Sequence, residues 1–127
     1  MGLENDYPRA RALQSRDAIE LVADKWRIAI LHVLSQGPVR TGQIQRALEE
    51  VSAKVLTQTL RGMERDGLIE RRVLTVVPAR VEYALTAMGI SVLEPLRALC
   101  LWAKAHVDER DDSRKRYDVA NRQATKP

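Results

Sequence analysis

Two stripes recur at helical spacing along Ser52–Gly67, SAKVLTQTLRGMERDG. Leu56, Leu60 and Met63 fall at i, i+4 and i+7, with Val55 and Thr59 beside them, which makes an apolar face. Lys54, Thr57, Gln58 and Arg61 recur on another side of the same cylinder. Ser52 is placed to cap the helix, because its hydroxyl can accept an orphan backbone N–H of the first turn. Gly67 supplies the left-handed residue that ends it. One face anchors in a core while the other offers long donors of a single net sign. Those are the parts of a helix that lies in a DNA major groove.

The segments around it read as its mount. Arg16 to Leu34 has the pattern of one core helix, with Ile19, Val22, Trp26, Ala29 or Ile30, and Val33 at three- and four-residue steps. Gly37-Pro38 stops it. Thr41 is expected to cap a short helix over 42–49 that packs through Ile44 and Leu48. Two short helices joined by a tight turn, the second presenting polar donors, form a helix-turn-helix unit. Leu68–Val77 and Ala79–Leu85 are β-branched runs on either side of Pro78, which belongs at a tip or an edge. A hairpin straight after such a helix is the wing of a winged-helix domain. Arg71, Arg72 and Arg80 lie on it, either reaching a duplex or guarding the sheet edge against strand addition.

Thr86 is expected to cap a last helix over 87–107, with Met88, Val92, Leu96, Leu99 and Ala103 on one face, Leu93, Cys100 and Leu101 beside them, and Trp102 on the flank. So much apolar surface on one helix of a small domain is most economically buried against a second subunit, through Leu96, Leu99, Cys100, Trp102 and Ala103. The fold class is therefore α+β, mainly α: a winged helix-turn-helix domain with a two-stranded hairpin and additional N- and C-terminal helices, the last of them a dimerisation helix. Residues 1–12 are expected to be a flexible arm and residues 13–107 the domain. Residues 108–127 read as a mixed-charge, disordered tail.

Charge and composition narrow the function. The chain of 127 residues is one domain's worth, and its net charge is +4. Between Arg40 and Arg80, eight basic residues face five acidic ones, so most of that excess lies around the Ser52 helix. No run approaches the ~18 apolar residues of a membrane span, and no secretory h-region opens the chain, so a cytoplasmic, nucleoid-associated address is the default. Cys100 is the only cysteine, and on an apolar helix a buried, unreactive thiol is expected. His32 and His106 are far apart and read as structural. No nucleophile–base set, phosphate-cradling glycine loop or metal cluster appears, so neither an enzyme nor a cofactor is expected.

DKWRIAILHVL, SAKVLTQTLRGMERDGLIER and VPARVEYALTAMG together resemble the HxlR-type winged-helix transcriptional regulators of bacteria and archaea, over most of residues 16–106. The resemblance implies a homodimer, assembled through N- and C-terminal helices, that binds a pseudo-palindromic operator. By position it makes Lys54, Thr57, Gln58 and Arg61 recognition-helix residues and Arg80 the wing arginine. Two departures stand out. Ala23-Asp24 precede Lys25-Trp26 where members usually read Gly-Gly, and Leu13 occupies the place of a cysteine that some members use as a thiol sensor.

The expected partners are thus double-stranded DNA and a second copy of the chain. Gln58 and Arg61 are matched to base edges, adenine and guanine respectively. Thr57 and Lys54 suit bases or phosphates, with Ser52 at the helix start. Arg40, Thr41, Arg72 and Arg80 suit phosphate or minor-groove contacts, the usual outcome being repression. Two alternatives remain open at this level. One is a switch responding to a small apolar effector, lined by Trp26, Leu96, Cys100 and Trp102. The other is a winged-helix protein-interaction module without DNA binding.

Overall fold

The computed structural model describes the backbone of residues 3–22 and 24–125. In chain order the elements are α1 (Leu3–Val22), α2 (Lys25–Leu34), β1 (Val39–Arg40), α3 (Thr41–Ala47), α4 (Ala53–Arg65), β2 (Ile69–Thr75), β3 (Arg80–Leu85) and α5 (Ala87–Thr125). They fall into two compact units, one up to Leu93 and one from Glu94.

The first unit is a winged helix-turn-helix fold. Its core takes Ile30, Leu31 and Leu34 from α2, Ile44 from α3 and Leu56, Leu60 and Met63 from α4. Val51 and Leu68, Ile69, Tyr83 and Ala84 from the chain around the hairpin complete it. The apolar face expected of α4 is thus the buried one. β2 and β3 pair antiparallel from Ile69↔Leu85 to Val73↔Val81, with an irregularity before Thr75↔Arg80. Pro78 sits in the connecting turn. The sheet has a third member that the hairpin pattern did not announce: β1 pairs with β3 through Val39↔Tyr83 and Arg40↔Glu82, giving the order β1-β3-β2. Two residues are too few for an alternation to register, and only the folded hairpin offers β1 its partner.

The expected single helix over residues 16–34 is two. Asp24 has extended backbone (φ −86°, ψ 129°), and its Oδ1 accepts the Trp26 N–H at 2.7 Å, so it caps α2. Asp24 therefore starts a second helix. With the break there, Ile19 belongs to α1 and is exposed, while Ile30, Leu31 and Leu34 carry the buried stripe of α2. Trp26 is half-buried.

Both ends of the chain differ from expectation. α1 begins at Leu3, so the arm expected over 1–12 is helical from there, and its first two positions lie outside the described residues. α5 continues through Pro95 and past 107 to Thr125, where a disordered tail was expected. The low apolar content behind that expectation opposes packing but not helix formation. No Gly or Pro occurs between Leu96 and Lys126, and Asp111/Lys115, Asp112/Arg116 and Arg114/Asp118 stand at i, i+4 with opposite charge.

Candidate nucleic-acid interface

Every end of α4 is fastened. Ser52 Oγ accepts the Val55 N–H at 3.1 Å, as the sequence suggested. At the other end Gly67 has φ +79°, Gly67 N donates to Glu64 O at 3.1 Å, and Leu68 N donates to Met63 O at 3.0 Å. These two bonds make a Schellman motif that turns the chain straight into β2. On the inner side, Arg27 of α2 pairs with Asp66 at 2.7 Å and also donates to Leu21 O at 3.0 Å. Gly62 makes room for that guanidinium, since a Cβ there would stand 2.8 Å from Arg27 Nη2.

The β2–β3 ribbon is fastened to the same helix. Arg71 reaches Glu64 of α4 at 3.6 Å. Tyr83 is buried in the same region, and its phenol is raised above its ordinary value by that burial and then by the Glu64 charge, against the pull of Arg71 and Arg61. Below the ribbon, Thr86 N donates to Leu68 O at 3.1 Å and Thr86 Oγ1 to Gly67 O, while Gly89 N donates to Thr86 Oγ1 at 3.0 Å. Thr86 therefore caps α5 as expected and ties its start to the end of α4.

What remains outward on α4 is polar. Lys54, Thr57, Gln58, Arg61 and Arg65 are exposed, as is Ser52 at the cap. Thr57 Oγ1 donates to Ala53 O at 2.9 Å, which leaves its oxygen as an acceptor. An acceptor suits a base amino group better than a phosphate, which has no proton to give. None of Lys54, Arg61 and Arg65 has a carboxylate within salt-bridge distance among the described residues.

A second basic feature lies beside it. Arg40, Thr41, Gln43 and Arg46 from the β1–α3 segment, with Ala79, Arg80 and Val81 from the wing, line a depression of about 350 Å³ that holds three guanidinium groups and no carboxylate. Thr41 does not cap α3, whose N-cap is Arg40 without a side-chain bond; its hydroxyl instead leans on Val81 O at 3.4 Å. Arg46 and Gln43 were not singled out from the sequence. Nothing in their spacing joins them to Arg80, and only the hairpin folding back beside α3 does. Arg72 stands apart from this group, paired with Glu70 and lying 3.8 Å from Glu82.

The residues assigned to dimerisation lie on α5 in the second unit. Leu96 is buried, whereas Leu99, Cys100, Trp102 and Ala103 are exposed in the single chain. The expectation of a buried Cys100 thiol is thus corrected: its helix face is uncovered in the monomer. Trp102 stacks on His106 with centroids 4.8 Å apart. Trp26, in the first unit, lines a separate depression with Arg46, Leu48 and Glu50. Among the described residues no helix is long and apolar enough to cross a membrane.

Residues 21–111 match the HxlR-like helix-turn-helix family. The chain is 40% identical over 96 residues to an HTH-type transcriptional regulator from Methanothermobacter thermautotrophicus, an alignment covering 76% of this chain and 73% of that one. It is 39% identical over 90 residues to the HTH-type regulator YtcD of Bacillus subtilis, 71% of each chain being covered. The crystal structure of a MarR-family transcriptional regulator from Enterococcus faecalis V583 superposes with a TM-score of 0.70 at 34% identity, covering 80% of this chain and 92% of that one. These relatives are regulators rather than enzymes. An outward polar helix on a winged helix-turn-helix frame, matched across these comparisons, makes this chain a member of the HxlR-like helix-turn-helix family of DNA-binding transcriptional regulators.

Proposed function

We propose that this regulator binds a pseudo-palindromic operator as a homodimer, with α4 in the major groove and the wing on the backbone or minor groove of the same half-site. The observation that carries the reading is the division of α4 into a buried apolar face and an outward face of Lys54, Thr57, Gln58 and Arg61. Gln58 and Arg61 read base edges by paired hydrogen bonds, and Thr57 accepts from a base amino group. Lys54 holds phosphate beside the Ser52 cap. Arg40, Thr41, Arg46 and Arg80 hold the flanking backbone, where three guanidinium groups without a counter-ion invite a phosphodiester. Arg72 contributes less to that contact, because Glu70 and Glu82 already offset its charge.

The second copy follows from α5. Leu99, Leu101 and Trp102 are all more than half exposed in the single chain, a run of apolar surface that a two-fold partner would cover. Such a dimer carries two α4 helices about one helical turn apart, ~34 Å. Selection of bound sites from random duplex DNA tests the whole reading. It should return inverted half-sites at that spacing. A chain that retains no duplex at low salt, or that selects a single unrepeated site, would overturn it.

A further inference from the structure

The wing ends in apolar side chains. Val73, Leu74, Val76 and Val77 are 57%, 43%, 79% and 89% exposed, and Pro78 beside them is exposed as well. Isolated apolar residues on a surface need no explanation, but here five of six consecutive positions, 73–78, are apolar and open. The one polar residue among them closes the turn: Thr75 Oγ1 donates to Pro78 O at 2.6 Å. Val76 and Val77, in the turn itself, are the most open of the four aliphatic side chains.

Charge around the tip indicates what covers it. Glu64 engages Arg71, and Glu70 and Glu82 engage Arg72, which leaves Arg80 at the foot of the tip, beside Arg40 and Arg46, with charge to offer. An apolar end next to such uncompensated cations is matched to a polyanion with an apolar interior. The minor groove of DNA is such a surface, with sugar C–H walls between two rows of phosphate. The ribbon is also continuous with the DNA-facing side of the first unit, rooted on α4 by Arg71–Glu64 and sharing the arginine depression through Arg80.

The fit is too tight for an undistorted duplex. Paired strands lie ~4.8 Å apart before side chains are counted, against a minor groove ~6 Å wide. Proteins that press apolar side chains into this groove open it, part-unstack a base step and bend the duplex towards the major groove. We propose that Val76, Val77 and Pro78 act as a wedge that opens the minor groove flanking each half-site and bends the operator. This rests on the placement of α4 in the major groove. It adds a contribution to site choice that involves no base contact: easily unstacked TA or CA steps under the wing favour binding, and stiff A-tracts oppose it.

The test is end-to-end energy transfer on a doubly labelled duplex carrying the selected site, with the full chain and its Val76→Ser/Val77→Ser variant. Both side chains are exposed, and circular dichroism checks that the variant is folded. The native protein should bend the duplex by an angle in the range of ~20–90°. The variant should select the same half-site sequence, leave the duplex straighter and lose the preference for flexible flanking steps. A specific but unbent native complex, or equal bending by both proteins, overturns the wedge while leaving α4 as the reader. A variant that bends DNA like the native chain but changes its sedimentation without DNA makes the tip a protein contact, which also overturns it. Absence of any specific complex removes the α4 reading and the wedge with it.

Discussion

Arg27 and Asp66, 39 positions apart in sequence, meet at 2.7 Å with their side chains only 17% and 34% exposed. The pair joins α2 to the C-terminal cap of α4, and the same guanidinium nitrogen donates to Leu21 O at the end of α1. One cation thus ties the ends of α1 and α4 to α2. Asp66→Asn should cost about 1–3 kcal/mol, and Arg27→Ala more, because it also removes the bond to Leu21 O and the packing of the guanidinium over Gly62. Urea unfolding followed by circular dichroism reads this directly. A midpoint unmoved by either change would show the pair to be incidental.

Gly89 and Gly42 should respond oppositely to alanine. A Cβ at Gly89 would stand 2.1 Å from Leu68 O, a backbone atom that cannot swing aside. Gly89→Ala should therefore destabilise the fold by about 1–3 kcal/mol or more, as overpacking does. At Gly42 in α3 a Cβ meets nothing within 4 Å. Gly42→Ala should be neutral or raise the melting temperature, since it gains helix propensity of up to ~1 kcal/mol. Equal losses from both would contradict the geometry at the α5 start.

The Tyr83 phenol predicts an alkaline limb in stability. Burial, then the Glu64 charge, lifts it above the ordinary 10.0. Between pH 10 and the raised folded value, the unfolded chain releases this proton while the folded chain retains it. The stabilisation is complete below the unfolded value and is lost as pH rises through the folded one. Tyr83→Phe should flatten the decline of stability above pH 10 and leave the curve near neutrality parallel to the native one. Identical slopes in the alkaline range would place the loss elsewhere.

DNA affinity should separate the two basic features. Arg61→Ala is expected to lose about 1–3 kcal/mol at one base position and relax preference there. Arg46→Ala or Arg80→Ala should weaken binding to all sequences alike and reduce the salt slope by about one unit. Arg72→Ala should change the slope less, because Glu70 and Glu82 already engage it. Titrations at several salt concentrations, on selected and scrambled duplexes, give all of these values. A sequence-dependent loss at Arg46 would place it on bases.

The α4 helix and its two faces were legible before folding, down to Ser52 and Gly67, because periodicity and capping are local properties. Leu56, Leu60 and Met63 are buried where their spacing put them, and Pro78 sits in the turn of the wing. Asp24 shows where locality failed to be read. Its cap was present in the sequence, but the apolar stripe of residues 16–34 ran across it, and periodicity cannot register a break that keeps phase. The same holds for α5, where low apolar content was taken for disorder although the run of helix formers without Gly or Pro was in plain view.

Whatever repeats along the chain within a turn or two was already specified by residue order: which helix would turn which side inward, and the chemistry of the side left outside. Contacts between distant segments were not, because charge and shape meet across space without leaving a period behind. Folding alone placed Arg40 and Arg46 beside Arg80, brought Glu82 to Arg72, and gave β1 its partner on β3. Guanidinium groups look alike in a sequence; their neighbours in three dimensions decide which of them still has charge to offer a phosphate.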